Sequence, residues 1–383
     1  MHEEAYRVIV IGGGHAGVEA AWACANVLPG LGTVALVTMD PSKVGVMSCN
    51  PAIGGLAKGQ LVREIDAMGG VMGLATDATG IQFRVLNTSK GPAVHGPRAQ
   101  CDKHAYARAV QRLIAAREEI AVLAGAVEDI VVEAGDARGV VLRDSTGAKR
   151  LLRAGAVVLT TGTFMRGLMH TGEQKTEGGR FGEQPAVGIS ASLRALGFEL
   201  GRLKTGTPPR LKRSTIRWEE LPPQPGDADP TPFSELTGCG AELAYAPSLH
   251  AFPVLRQVEC RQSQTSAATH EVIRANLHRA PMFSGQIESV GPRYCPSIED
   301  KVVRFAERDA HGVFLEPESL EDDWIYCNGI STSLPADVQD AIVRAMPGCE
   351  SAEILRYGYA VEYDMVRPHQ ILPTGMTRAV RGL

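Results

Sequence analysis

The sequence predicts an α/β fold of the Rossmann type, in which helices cover a largely parallel β-sheet. Residues 8–11 (VIVI) form an apolar, β-branched run that is typical of a strand buried on both faces. An Ala-rich helix is predicted at residues 18–25 and a second strand at residues 33–38. The run AVVLTTGTF at residues 156–164 predicts another buried strand. Strands that alternate with helices in this way indicate a doubly wound sheet.

A glycine-rich turn connects the first strand to the first helix. Its six residues are Gly12, Gly13, Gly14, His15, Ala16 and Gly17. Gly12 permits the tight turn, Gly14 lets the backbone approach a pyrophosphate, and Gly17 lets the helix pack closely. The N–H groups at the start of the helix would then face the anion. The G-x-G-x-x-G spacing therefore predicts dinucleotide binding, and a tight turn without a ligand is the alternative.

Composition and charge set bounds on the class of protein. The 383 residues suit two or three domains, and the net charge of −4 gives no global sign of nucleic-acid binding. None of the eight cysteines forms a C-x-x-C pair, so we predict no metal site and expect reduced thiols in a cytoplasmic protein. The first strand starts within eight residues of Met1, which argues against a signal peptide. No apolar run is long enough to span a membrane, so we expect no membrane association.

A lone cysteine marks the next informative stretch. Residues 46–55 combine Cys49 with an Asn-Pro step and a Gly-Gly pair, which indicates an ordered functional loop leading into a helix at about residues 60–68. A cysteine beside a helix N-terminus has a lowered pKa and is nucleophilic. The alternative is a small buried hydrophobic residue. A second glycine-rich stretch, residues 172–188, is predicted to form a mobile loop over the same site.

One segment of this mildly acidic chain has charge of a single sign. Residues 201–217 contain several basic residues and no acidic one, and among them are Arg202, Lys204, Arg210 and Lys212. This pattern predicts contact with the phosphate backbone of RNA. A solvated basic loop is the alternative. Few aromatic residues lie between these charges, so the segment gives no sign of base stacking.

A second cysteine precedes a predicted helix. Residues 296–300 (PSIED) have the features of a helix start, namely a proline, a capping serine and acidic residues in the first turn. Cys295 therefore lies just ahead of a helix N-terminus, an environment that favours a thiolate. Arg293, two residues earlier, has the chemistry to pair with a phosphate.

Long motifs in the chain resemble those of the MnmG/GidA family. They include GGGHAG, MSCNPAIGGLAKGQLVREIDAMGG, GIQFRVLNTSKGPAV, GRLKTGTPPR, GPRYCPSIEDKVVRF and GYAVEYD, and the resemblance covers essentially the whole chain. Members of this family are FAD-dependent enzymes that modify C5 of the wobble uridine in certain tRNAs. The resemblance implies a two-dinucleotide flavoprotein: a Rossmann-type FAD-binding domain at residues 1–205 and 351–383, with a smaller α/β domain inserted at residues 206–350.

The resemblance also implies which residues form the sites. FAD is expected at the glycine turn, at the main chain of Val127, and at Thr161 and Gly162. A nicotinamide nucleotide is expected at Gly291, Pro292, Arg293, Tyr294, Pro296, Ser297, Ile298, Glu299, Asp300 and Lys301. Cys49 and Cys295 are the candidates for covalent chemistry on uracil, because C5 becomes nucleophilic once a thiolate adds at C6. Which of the two attacks stays open.

Cofactors and partners follow from the same resemblance. We expect FAD, NADH and methylene-tetrahydrofolate as the one-carbon donor, and tRNA, the GTPase MnmE and a second copy of the chain as partners. The family continues with a third FAD-contacting segment and a C-terminal helical region, so we expect a truncated member in which the contacts with MnmE are lost. The alternatives are a non-catalytic nucleotide-binding remnant, a related folate-dependent tRNA uracil methyltransferase and a flavoprotein reductase.

Overall fold

The computed structural model describes residues 3–239, 249, 251–287, 289 and 296–383. Its strands are β1 (Glu3–Ile11), β2 (Val34–Thr38), β3 (Ala52–Gly54), β4 (Gly80–Leu86), β5 (Gly96–Cys101), β6 (Ile120–Ala124), β7 (Ala126–Glu133), β8 (Asp136–Arg143), β9 (Lys149–Leu159), β10 (Leu168–Thr171), β11 (Gln174–Glu177), β12 (Leu200–Thr207), β13 (Arg210–Lys212), β14 (Pro223–Gln224), β15 (Cys260–Gln264), β16 (Gly312–Pro317), β17 (Trp324–Asn328), β18 (Ile354–Arg356) and β19 (Tyr359–Val366). Its helices are α1 (His15–Val27), α2 (Lys58–Ala67), α3 (Met72–Thr79), α4 (Lys103–Ala115), α5 (Gly188–Ala195), α6 (Ala267–Ala275), α7 (Ile298–Arg304) and α8 (Ala336–Arg344).

The first sheet carries the predicted Rossmann topology. Its strand order is β6-β2-β1-β9-β8-β7, and β6, β2, β1 and β9 run parallel. Val10 lies opposite Leu36 on one side and Val158 on the other. Apolar clusters cover both faces of β1, because Val10 packs toward α1 and α4 while Ile9 packs toward α5. The apolar run at residues 8–11 therefore forms a strand buried on both faces, and the predicted α/β fold is confirmed.

Two stretches of β-forming residues each give two strands with different partners. At Gly125 the chain passes from β6, which joins the parallel edge of the first sheet, to β7, which pairs with β8. Since β8 also pairs with β9, this antiparallel portion belongs to the first sheet. Further along the chain, β18 and β19 likewise join different sheets.

A second six-stranded sheet has the order β14-β15-β16-β17-β13-β18. Its antiparallel strands alternate, so Ile325 and Cys327 face an apolar cluster with α6 and α8 while Tyr326 lies on the other face. Ser266 caps α6 in a capping box with Thr269. The sheet therefore has one apolar face and one polar face.

Two smaller sheets complete the described fold and connect its parts. One has the order β11-β10-β19-β12 and the other β3-β5-β4. Buried ion pairs link the β3-β5-β4 region and α4 to the second sheet: Arg98 to Glu316 at 2.8 Å, and Lys103 to Glu318 at 2.7 Å. Arg210 on β13 completes this group through Glu318 at 2.9 Å. These pairs fix the polar face of the second sheet against the dinucleotide-binding part of the chain.

We predict that Glu318→Gln destabilises the protein by about 3–5 kcal/mol, because Arg210 is left buried without its countercharge. The side chains of Arg210 and Glu318 are only 3% and 4% exposed. The matched control is Glu353→Gln, which breaks the exposed pair with Lys212 and is expected to cost less than about 1 kcal/mol. Urea unfolding measures both. Equal losses in the two variants would contradict the structural role of the buried pair.

Candidate functional site

A cleft lies at the carboxyl ends of β1, β2 and β9, where open α/β sheets bind their ligands. It encloses about 330 Å³. The sequence-predicted residues that line it are Gly12, Gly13, Gly14, His15, Ala16, Val127, Thr161 and Gly162. The structure therefore brings together residues from three separate segments of the chain.

The glycine turn has the geometry of an anion cradle. Gly12 adopts φ +113°, and a Cβ there would lie 2.3 Å from the carbonyl oxygen of Thr160. A Cβ at Gly17 would lie 1.7 Å from the carbonyl oxygen of Gly12, so only glycine lets α1 approach the turn this closely. A Cβ at Gly14 would meet nothing within 4 Å. Because no side chain caps α1 and its first turn has no acidic residue, this helix N-terminus suits a phosphate.

His15 is the first residue of α1, and its imidazole is neutral near pH 7. Burial, and secondarily the positive charge of Arg180, lowers the pKa of its imidazole to about 4. The ring lies 5.5 Å from that of Tyr106, centroid to centroid. Its buried Nε2 atom has no hydrogen-bond partner among the described residues. A neutral imidazole with an unused nitrogen therefore lines the cleft.

Arg180 closes the opposite side of the cleft, a contribution that the sequence did not reveal. Its guanidinium pairs with Glu183 and donates to the hydroxyl of Ser48 at 3.1 Å. The loop containing Arg180 is therefore attached to the loop that carries Cys49. Asp40 also lines the cleft, and its carboxylate accepts a hydrogen bond from the backbone N–H of Ser42 at 2.9 Å.

Cys49 is exposed at the rim of the cleft, next to Ser48. The expected helix N-terminus is not adjacent, because β3 lies between Cys49 and α2. The thiol instead lies 3.9 Å from the hydroxyl of Tyr326 and 3.8 Å from the carbonyl oxygen of Gly206. Arg210 donates to the carbonyl oxygen of Cys49 at 2.6 Å. Contacts with the second sheet, rather than a helix dipole, therefore position this thiol.

Most of the other described cysteines are poor nucleophiles. Burial raises the pKa of Cys101, Cys260 and Cys349 to about 12, and it raises the pKa of Cys327 well above its ordinary value. A thiol with such a pKa is almost entirely protonated near neutral pH. Exposure therefore distinguishes Cys49 from these buried residues.

The segment predicted to bind a nicotinamide nucleotide is only partly described. Cys295, Gly291, Pro292, Arg293 and Tyr294 lie outside the described residues.

The described part of that segment forms the start of α7. Ser297 caps the helix as predicted, by accepting from the N–H of Asp300 at 3.3 Å. Glu299 is buried and accepts from Thr332. Burial lowers the pKa of Lys301, whose ammonium donates to the carbonyl oxygen of Gly329 at 2.7 Å. Pro296 is exposed and Ile298 is fully buried. None of these described residues lines the cleft at the glycine turn.

The basic segment does not form one solvated loop, which is the alternative to RNA contact. The burial of Lys204 and Arg210 argues against the predicted contact of these two residues with RNA phosphates. The segment forms β12 and β13, which belong to different sheets. Lys204 is 1% exposed, and Arg210 is buried against Glu318. Arg202 pairs with Asp364 at 2.8 Å, and the partly exposed Lys212 pairs with Glu353. Three of these four basic residues therefore form ion pairs with acidic residues that are distant in sequence but close in space.

The fold and the position of the cleft place the chain in the class of FAD-binding Rossmann-type proteins. Comparison with known proteins then gives the family. The family model described as "Glucose inhibited division protein A" matches residues 7–383, so the chain belongs to that family.

Similar proteins extend this assignment. The chain is 51% identical to the tRNA uridine 5-carboxymethylaminomethyl modification enzyme MnmG of Granulibacter bethesdensis, over 99% of this chain and 58% of that protein. The corresponding enzyme of Myxococcus xanthus is also 51% identical, with 99% and 60% covered. A crystal structure of Aquifex aeolicus GidA matches with a TM-score of 0.88 and 44% identity, over 99% of this chain and 61% of that one. The chain thus spans less than two thirds of the length of these relatives.

Two further features are absent from the described part of the chain. No helix there has the length and apolar character needed to cross a membrane. Within the same residues, no group of three or more His, Cys, Asp or Glu side chains is arranged to hold a metal ion.

We predict that His15 makes the stability of the ligand-free protein depend on pH. Its folded pKa of about 4 lies below the ordinary value of 6.5, so the unfolded chain binds a proton first as the pH falls. The contribution of neutral His15 to the free energy of unfolding is complete above pH 6.5 and is lost as the pH falls toward 4. Urea unfolding at several pH values should therefore show a weaker pH dependence in His15→Gln. The control is His369→Gln, which removes an exposed histidine, and identical slopes in the wild type and His15→Gln would refute this assignment.

Proposed function

We propose that this chain forms the flavin-binding and catalytic part of an enzyme that modifies C5 of the wobble uridine in tRNA. The observation that carries the proposal is the proximity of two features: a dinucleotide cleft and, at its rim, the exposed thiol of Cys49. The relatives named MnmG are described as tRNA uridine 5-carboxymethylaminomethyl modification enzymes, which agrees with this chemistry.

The residues that line the cleft have the properties that an FAD-binding site needs. The uncapped start of α1 and the open space at Gly14 suit a diphosphate. Val127, Thr161 and Gly162 provide further lining from β7 and from the turn after β9. When bound, FAD supplies hydride-transfer chemistry, which no amino-acid side chain provides. The contribution of the protein is to hold the cofactor, orient the substrate and limit access of water.

The thiol of Cys49 has the accessibility that a nucleophile needs. A bond from sulfur to C6 of uracil moves an electron pair toward C5, which then reacts with a one-carbon electrophile. Loss of the C5 proton and departure of the thiolate restore the ring. Arg210 holds the Cys49 carbonyl and so fixes the loop, while Tyr326 lies against the thiol. Cys295 stays the second candidate for this role.

The remaining components of the proposal come from membership of the family. We propose NADH as the reductant of the flavin and methylene-tetrahydrofolate as the one-carbon donor. We propose a cytoplasmic homodimer that adds an aminomethyl or carboxymethylaminomethyl group, with the GTPase MnmE as its partner where the C-terminal helical region of the family is present. Arg202 and Lys212, which are partly exposed, are the members of the basic segment best placed to contact tRNA phosphates.

We predict that Gly14→Glu leaves the protein folded but abolishes flavin binding, because its carboxylate enters the space proposed for the diphosphate. The control is Gly312→Glu, since Gly312 also has open space around its Cβ position and lies on a different sheet. Flavin content is measured by absorbance after reconstitution with FAD. Wild-type flavin content in Gly14→Glu would refute the role of the turn.

We also predict that, in a full-length context that includes the C-terminal helical region of the family, Cys49→Ser and Cys295→Ser fold normally and at least one of them loses tRNA modification. Serine preserves the size of the side chain but is a far weaker nucleophile than a thiolate. The measurement is mass spectrometry of nucleosides from tRNA incubated with protein, FAD, NADH, the folate donor and MnmE. Cys239→Ser removes another exposed thiol and serves as the control. Full activity in both test variants would exclude covalent catalysis by these cysteines.

A further inference from the structure

Four side chains form a row across the polar face of the second sheet. Strand register places Glu316 opposite Tyr326, Tyr326 opposite Arg210, and Arg210 opposite Arg356. Directly opposed residues on neighbouring strands share a face, and like charges in such positions repel. The pair Arg210 and Arg356 is therefore unfavourable unless negative charge lies nearby.

Among the described residues, only one of the two arginines forms an ion pair with a carboxylate. Arg210 pairs with Glu318 at 2.9 Å. Among the described residues no carboxylate forms an ion pair with Arg356, and its buried Nε atom has no hydrogen-bond partner. Burial, followed by repulsion from Arg210, lowers the pKa of Arg356. An anion from outside the chain would satisfy both its charge and its unused donor.

Aromatic rings flank this guanidinium. The Cζ atom of Arg356 lies 5.1 Å from the ring centroid of Trp324 and 5.7 Å from that of Phe181. The Phe181 residue is 58% exposed, so its ring is accessible to a ligand that lies against Arg356. An exposed aromatic ring beside a free guanidinium matches the two parts of a nucleotide, its base and its phosphate.

A closed series of contacts connects this group to the thiol. Arg356 adjoins Arg210, whose guanidinium donates to the Cys49 carbonyl. Arg356 also adjoins Phe181, which follows Arg180, and Arg180 donates to Ser48 beside Cys49. Neither Arg356 nor Phe181 lines the dinucleotide cleft, so the flavin diphosphate is not the anion that this geometry favours.

We propose that Arg356 and Phe181 bind a nucleotide of single-stranded RNA, with a phosphate on the guanidinium and a base on the ring, so that a neighbouring uracil reaches Cys49. This assignment rests on the proposed function, because it names the part of the protein that holds the tRNA substrate. Arginine suits the task, since its planar fork donates two hydrogen bonds to one phosphate.

The test is binding of an anticodon stem-loop RNA with a wobble uridine, measured by fluorescence anisotropy. The phosphates flanking that uridine are replaced one at a time by uncharged methylphosphonate. In the wild type, one replacement should weaken binding about tenfold, as expected for loss of one charge-assisted contact. In Arg356→Gln, unmodified RNA should bind about tenfold more weakly and that replacement should have no further effect. Arg356→Lys should recover part of the loss, because lysine keeps the charge but not the fork.

The controls separate this inference from the proposed function. Arg138→Gln removes an exposed arginine from β8 and should keep the full methylphosphonate effect. Persistence of that effect in Arg356→Gln would overturn the assignment of Arg356 while leaving the proposed function intact. Failure of the wild type to bind the stem-loop would overturn both. Loss of flavin from Arg356→Gln would identify the anion as the cofactor and would also overturn the assignment.

Discussion

Buried ion pairs between the second sheet and the dinucleotide-binding part hold the candidate site together. Arg210 and Glu318 are almost completely removed from water, and in the pair of Arg98 with Glu316 the arginine is 15% exposed and the glutamate 3%. Burial of such charges costs free energy that only good geometry and further hydrogen bonds offset, so these pairs tolerate little displacement. Since Arg210 also binds the carbonyl oxygen of Cys49, the position of the thiol depends on the same contacts.

The glycine turn imposes the second constraint. The carbonyl oxygen of Gly12 lies where a Cβ at position 17 would be, so α1 packs against the turn without side chains between them. This contact points the N–H groups of the first helical turn into the cleft. The loop with Arg180 then joins the cleft to Ser48 and Cys49. Cofactor cleft and thiol are thus parts of one connected polar assembly.

The sequence predicted those features whose causes are local. The β-branched run before Gly12 and the glycine spacing identify the first crossover, and Ser297 was correctly expected to cap its helix. The placement of Arg210 was not predictable in this way. Nearby residues in the sequence are basic, whereas its ion-pair partner Glu318 lies 108 positions further along the chain. The sequence of this segment therefore has the pattern of an exposed basic loop, although tertiary contacts bury Lys204 and Arg210.

Long-range pairing explains the other differences as well. Arg180 and Tyr326 reach the site from loops and strands distant from Cys49 in sequence, and no local pattern distinguishes them. Gly125 separates β6, which pairs on the parallel edge of the first sheet, from β7, which pairs with β8 in a hairpin, and only these long-range partners distinguish the two strands. The family motifs include several segments that the structure brings together at the cleft, but they contain no information on which side chains inside each motif are buried.

A crystal structure of this chain grown with excess FAD tests the central claim most directly. The account predicts density for the flavin diphosphate against the turn from Gly12 to Gly17, in the cleft bordered by Ser48. Density for FAD at any other place on the protein, or a cleft without FAD at saturating concentration, would contradict it.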